Sequence, residues 1–140
     1  MRIEYFSETE FEPGNTQKYT EWIINVLERY RATPGALTFI YCSDSYLLDL
    51  NRRYLEHDYL TDVITFPYPE LEGISGDIFI SVDRVRDNAN SLNVNFGIEL
   101  TRVMIHGVLH LVGFKDKTED EVAVIRNAEE EALAMFHVKQ

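Results

Sequence analysis

The sequence predicts an α+β fold: one domain over residues 1–140, with about four strands in a small mixed sheet and about five helices packed on it. Three observations carry that prediction. Short runs rich in β-formers, such as ALTFIYC at 36–42 and DIFIS at 77–81, are interleaved with segments whose apolar residues recur at three- and four-residue steps. No repeat, low-complexity segment or linker divides the chain. A hydrophobic content of 45% over 140 residues suits a soluble globular domain with a substantial core. Strand order is not legible in this pattern.

In chain order, RIEYF at 2–6 alternates apolar and polar residues and reads as a short strand. Pro13 and Gly14 mark a link, after which Tyr19, Trp22, Ile23, Val26, Leu27 and Tyr30 trace a helical stripe over about 15–30. Pro34 and Gly35 break that helix ahead of the strand at 36–42. Ser43 or Asp44 can cap the next helix, which turns Tyr46, Leu47, Leu50 and Tyr54 inward. A polar loop, LEHDYL, leads to a strand near Asp62 to Phe66 that Pro67 stops. Pro69, Gly73 and Gly76 prolong an irregular stretch up to the strand at 77–81. A helix over about 82–92 and another over about 98–112 follow. Thr118 and Glu121 then form a capping box for a last helix with Val122, Ile125, Ala128, Ala132 and Phe136 on its apolar face. That helix is expected to pack behind 98–112 as architecture rather than chemistry, with the acidic residues from Glu119 to Glu131 on a solvated face.

The stretch that carries chemistry is HGVLHLVGFKD, from His106 to Asp116. His106 and His110 are four residues apart on a helix, so their side chains share one face. Gly113 offers a helix stop, which lets the chain turn and return Asp116 toward the two imidazoles. Two histidines on an apolar helix can equally be hydrogen-bonded core residues. The glycine stop and the returning carboxylate favour a metal ion instead. Three protein ligands, His106, His110 and Asp116, with an open fourth position form the arrangement of catalytic zinc sites, so one Zn2+ per chain is expected. The spacing matches the zincin-like metal helix of metzincin-type peptidases, with two departures. Gly107 stands where those enzymes carry the glutamate general base, and Asp116 where they carry a third histidine. The first departure disfavours ordinary peptide hydrolysis; the second is chemically compatible with zinc.

Composition narrows the remaining choices. No apolar run is long enough to span a bilayer, and MRIEYFSETEFE lacks the apolar core of a signal peptide, so a cytoplasmic location and no membrane partner are expected. Cys42 is the one cysteine, which rules out an intrachain disulfide and suggests an inert core thiol. The net charge of −11 counts against indiscriminate nucleic-acid binding, though a basic patch can sit on an acidic protein. Arg52, Arg53, Arg102, Lys115 and Lys117 are the nearby cations, and the two lysines flank Asp116.

Three separated stretches resemble the YbeY family of rRNA maturation factors. LNRRYLEHDYLTDVITFPYP at 50–69 is similar to that family's LN-x-x-[YF]-R-x-K-D-x-x-T-[ND]-V-L-S-F-P block, HGVLHLVGFKD to its HGxLHLxGYDH, and GDIFIS at 76–81 to the G-D-[IV] strand between them. Their order and spacing agree over nearly the whole chain. The resemblance implies a metal-dependent, single-strand-specific endoribonuclease used in rRNA maturation, at the 3′ end of small-subunit rRNA, and in ribosome quality control. The implied partners are single-stranded RNA, rRNA and ribosomal subunits. His106 and His110 match the family's first two metal-binding histidines, and Asp116 takes the place of the third. Leu55 stands where the family has an arginine suited to holding the scissile phosphate, and His57 where it has a lysine. Arg53 could stand in for that arginine only through its length, as could Arg52. His57 could serve as acid or base near neutral pH. Each of these residues can also be read as the exposed end of a helix beside a loop. Asp62 is expected to hold loop or outer hydrogen bonds, and Asp77 reads equally as an outer group or a strand-edge carboxylate. The rival functions are an RNA- or ribosome-binding maturation factor with a structural metal and, further back, a zinc peptidase.

Overall fold

Alternation along the strands decides which face of the sheet each helix covers. The computed structural model describes residues 2–138; Met1, Lys139 and Gln140 of the expected domain lie outside the described residues. Within them the order is β1 (Arg2–Ser7), α1 (Thr16–Glu28), β2 (Pro34–Cys42), α2 (Asp44–Tyr54), β3 (Val63–Pro67), β4 (Ile74–Ser81), α3 (Val82–Leu92), α4 (Phe96–Val112) and α5 (Glu119–Val138). The sheet runs β1-β2-β4-β3, with β1, β2 and β4 parallel and β3 antiparallel to β4. This is the mixed four-stranded sheet with five helices that the α+β prediction requires.

On one face, Leu37, Phe39 and Tyr41 of β2 join Ile78 and Ile80 of β4, all fully buried. They form one core with α1, α3, α4 and α5 through Trp22, Ile23, Leu27, Val85, Met104, Ile105, Val108, Leu109 and Ile125. The opposite face carries a smaller cluster of Cys42, Leu47 and Ile64, with Leu50, Phe66 and Phe79 packed against it, and α2 supplies its cover. Burial pushes the Cys42 thiol up to about 12, in keeping with an inert core cysteine.

The helix signals operate largely as expected. Ser43, rather than Asp44, caps α2 by accepting the Tyr46 N–H at 3.2 Å. Asp44 instead accepts from Ser81 Oγ and pairs with Arg84. The capping box of α5 closes reciprocally: Thr118 Oγ1 accepts the Glu121 N–H at 3.1 Å, and Glu121 accepts the Thr118 N–H at 3.0 Å. Several boundaries differ from the sequence reading by a few residues, and two of the differences have a clear physical cause. α4 begins at Phe96 because Asn95 caps it, accepting the Ile98 N–H at 2.8 Å. β4 begins at Ile74 because Gly76 is a strand residue rather than a loop residue. A Cβ on Gly76 would lie 2.6 Å from the Phe66 carbonyl oxygen and 3.1 Å from a Leu111 methyl, so the glycine reports close packing. The turn belongs to Gly73, at φ +74°.

Candidate metal centre

α4 runs under the sheet and presents one edge to solvent beside β3. Gly107 sets how closely it approaches. A Cβ at this position would sit 2.7 Å from Cγ2 of Ile78 on β4, so only glycine fits without displacement. Position 107 therefore packs on the sheet and has no room for the glutamate of a peptidase. The neighbouring positions 106 and 110 fall on the open side.

There the three sequence-predicted ligands meet. His106 Nε2 and His110 Nε2 are 3.0 Å apart, and Asp116 Oδ2 lies 3.2 Å from the second and 3.5 Å from the first. The stop at Gly113 works as anticipated, with φ +129° and its N–H donating to the Leu109 and His110 carbonyls. Phe114 and Lys115 then carry the chain back to Asp116. Ligand atoms at about 2.0–2.1 Å around a tetrahedral ion are separated by about 3.3 Å, and the three observed separations bracket that value. Two imidazoles and a carboxylate are also a donor set that zinc accepts. The three residues fit a metal ion as they stand.

The surroundings fix the ligands. Glu129 of α5, 2% exposed, lies 2.5 Å from His106 Nδ1. With the proton held on Nδ1, the Nε2 lone pair is left facing the cluster, the arrangement that orients metal-binding histidines. Arg102 holds Glu129 in turn, donating at 3.2 Å, and is gripped by Glu99 at 2.9 and 2.5 Å. It also lies 3.7 Å from Asp62. Burial alone would raise the Glu129 pKa, but the His106 hydrogen bond and the Arg102 charge outweigh it and hold the carboxyl below its usual range. Hydrogen bonding to Glu99, followed by the charges of Glu99, Glu129 and Asp62, outweighs burial and raises the Arg102 guanidinium above its ordinary value. Burial raises Asp62, against the opposing charges of Arg102 and His106. Asp62 also accepts from Asn88 Nδ2 at 3.2 Å, in line with the expected outer role. Asp77 instead accepts from the Tyr68 hydroxyl.

The three ligands form one side of a cavity of about 280 Å³, whose remaining lining comes from Asn51, Leu55, His57 and Tyr59 at the end of α2 and its following loop, and from 61–65 leading into β3. His57 is thus brought to the site. Arg53 is not: it is exposed on α2, paired with Asp49 at 3.1 Å, and outside that lining. Arg52 is likewise engaged, by Asp58 at 2.5 Å.

With this geometry in hand, the relatives are informative. The sequence model of the family described as Endoribonuclease YbeY matches residues 3–137. The chain belongs to the YbeY family. It is 46% identical to Endoribonuclease YbeY of Flavobacterium johnsoniae over 138 residues, covering 99% of both chains. It is 47% identical to Endoribonuclease YbeY of Christiangramia forsetii, covering 99% of this chain and 96% of that one. The solution structure of a Thermotoga maritima protein superposes with a TM-score of 0.69 at 24% identity, covering 99% of this chain and 91% of that one, and supports the same fold. Membership in the YbeY family makes the protein a nuclease of the hydrolase class.

Several expectations need correction within this YbeY fold. Tyr46 and Tyr54, expected to face inward from α2, are 40% and 63% exposed, and Val122, placed on the apolar face of α5, is exposed as well. α5 was expected to be architecture alone, with its acids solvated, yet its Glu129 is buried and bonded to His106. Arg102 was counted as local positive charge, yet its guanidinium is saturated by Glu99, Glu129 and Asp62. A signal for Glu129 was present: it sits four residues after Ile125 and four before Leu133, inside the apolar stripe. An acid on a buried stripe needs a cationic or hydrogen-bonding partner.

Proposed function

We propose that this chain is a zinc-dependent, single-strand-specific endoribonuclease of rRNA maturation, acting at the 3′ end of small-subunit rRNA and in ribosome quality control. His106, His110 and Asp116 would hold one zinc ion per chain. The observation that carries the proposal is the convergence of these three donor atoms at one end of an open cavity, with His106 oriented by a buried carboxylate. When bound, the ion supplies Lewis-acid polarisation of the scissile phosphodiester and a nucleophile at neutral pH. The chain's own residues do the rest. Glu129 keeps the proton on His106 Nδ1. Arg102 neutralises the buried acids behind that histidine. His57 faces the cavity with an imidazole able to take or give a proton, and it is the better placed of the two candidates because Arg53 faces away. Ribosomal subunits and a cytoplasmic location belong to the same proposal; no helix among the described residues is long and apolar enough to cross a membrane.

One observation favours the second reading, an RNA-binding maturation factor with a structural metal: among the described residues no lysine or arginine lines the cavity. Gly107, crowded by Ile78, removes the basis for a peptidase. Metal analysis of purified protein, combined with cleavage assays on single-stranded and duplex RNA, separates the readings. The expected result is one zinc per chain and cleavage of the single strand, with both lost in His110→Ala. Bound metal with intact RNA would favour the binding factor.

A further inference from the structure

The cavity has two unlike sides, and on the second only His57 has been given a task. Each arginine near it is occupied: Arg52 by Asp58, Arg53 by Asp49, and Arg102 by Glu99, Glu129 and Asp62. Among the described residues no lysine or arginine belongs to the cavity lining, and the nearest lysines in sequence, Lys115 and Lys117, flank Asp116 on the metal side. What a polyanionic strand finds on the second side is aromatic. His57 and Tyr59 are stacked, with ring centroids 5.1 Å apart and planes at 22°, and the Tyr59 hydroxyl is 3.0 Å from His57 Nδ1. Both line the cavity that holds His106, His110 and Asp116.

The pair is exposed yet held in place. Tyr59 is 56% exposed, and its neighbour Leu60 is 47% exposed, so neither ring nor side chain is accounted for by the core. The backbone around them is pinned to buried Asn51, whose carbonyl accepts the Leu55 and His57 N–H groups and whose Nδ2 donates to the Tyr59 carbonyl at 2.9 Å. Glu56, at φ +56°, makes the reversal that places His57 over the cavity. A fixed aromatic face open to solvent is a device by which proteins hold unpaired bases, since every base offers a π-face.

We propose that His57 and Tyr59 form a base-stacking subsite that holds an unpaired nucleobase of the RNA beside the His106–His110–Asp116 cluster. Stacking, rather than a cation, then supplies the grip on this side, and it excludes duplexes because their bases are not available to stack. The subsite rests on the nuclease reading above and names how that reaction selects single strands.

The test mixes zinc-loaded wild-type, Tyr59→Leu and Tyr59→Phe proteins with a short single-stranded RNA carrying one 2-aminopurine. Quenching is followed by stopped flow before cleavage, and steady-state kinetics are measured on the same RNA. The expected result is quenching by wild type, with Tyr59→Leu losing it and raising KM roughly 5- to 100-fold while kcat changes far less. Tyr59→Phe, which keeps the ring, rescues both readouts. Wild-type quenching and KM in Tyr59→Leu would overturn the subsite, as would a Tyr59→Phe protein as impaired as Tyr59→Leu. Cleavage by wild type without quenching would overturn the subsite and leave the nuclease reading standing. Neither binding nor cleavage by wild type would overturn both.

Discussion

The two sides of the cavity are built on opposite principles. On the α4–α5 side, the charged groups behind the ligands are paired in a chain: His106 with Glu129, Glu129 with Arg102, and Arg102 with Glu99 and Asp62. Glu99 and Glu129 are almost wholly buried, which raises the cost of misplacing any one of them. On the α2–β3 side, Leu55, His57 and Tyr59 are exposed, and hydrogen bonds between their backbone and Asn51 set their positions. One side holds donor atoms through a chain of charged hydrogen bonds; the other offers a surface. A nuclease needs both, because the ligands of an ion tolerate little displacement whereas a strand of varied sequence needs a tolerant contact.

Substitutions can break that contrast, beginning with the largest effect. Glu129→Gln keeps the shape but removes the charge that orients His106 and balances Arg102. It should weaken zinc binding about 10- to 100-fold in a chelator competition, the usual cost of losing such an outer partner. Gly107→Ala forces a methyl against Ile78. Overpacking of about 1–3 kcal/mol should exceed the roughly 1 kcal/mol that alanine gains over glycine in a helix, lowering the denaturation midpoint. Asp62→Asn should change the pH profile rather than the maximum. Burial raises the folded-state pKa of Asp62 above its ordinary 3.8, so the folded protein holds this proton more tightly than the unfolded chain. That contribution to stability is complete below the unfolded value and is lost as pH rises through the folded one. Thermal melts of the wild type should show this loss across that interval, and Asp62→Asn should lack it. Arg53→Ala, removing an exposed pair with Asp49, should cost less than about 0.5 kcal/mol and leave RNA cleavage near wild type.

The contrast also explains what was legible in the sequence. The i, i+4 pair His106 and His110, the stop at Gly113 and the box at Thr118 and Glu121 are local signals, each written within a turn or two of helix. The sheet order was not legible, because nothing in β4 says that it will lie between β2 and β3. Gly76 misled for the same reason: the crowding that requires it comes from Phe66 and Leu111, both distant in sequence. Glu129 hid in an acidic segment where most neighbours are solvated, and its partner His106 lies 23 residues away. For Arg53, the spacing placed it near the site, but which way α2 faces is decided by Leu47 and Leu50 packing on the face of the sheet opposite α4.

The bond from Glu129 to His106 orders events in time as well as in space. During synthesis all three donors emerge before the helix that orients the first of them. A nascent chain can therefore own a complete set of ligands and still lack the poised imidazole. Catalytic competence would arrive only when α5 docks against α4 and brings Glu129 to His106.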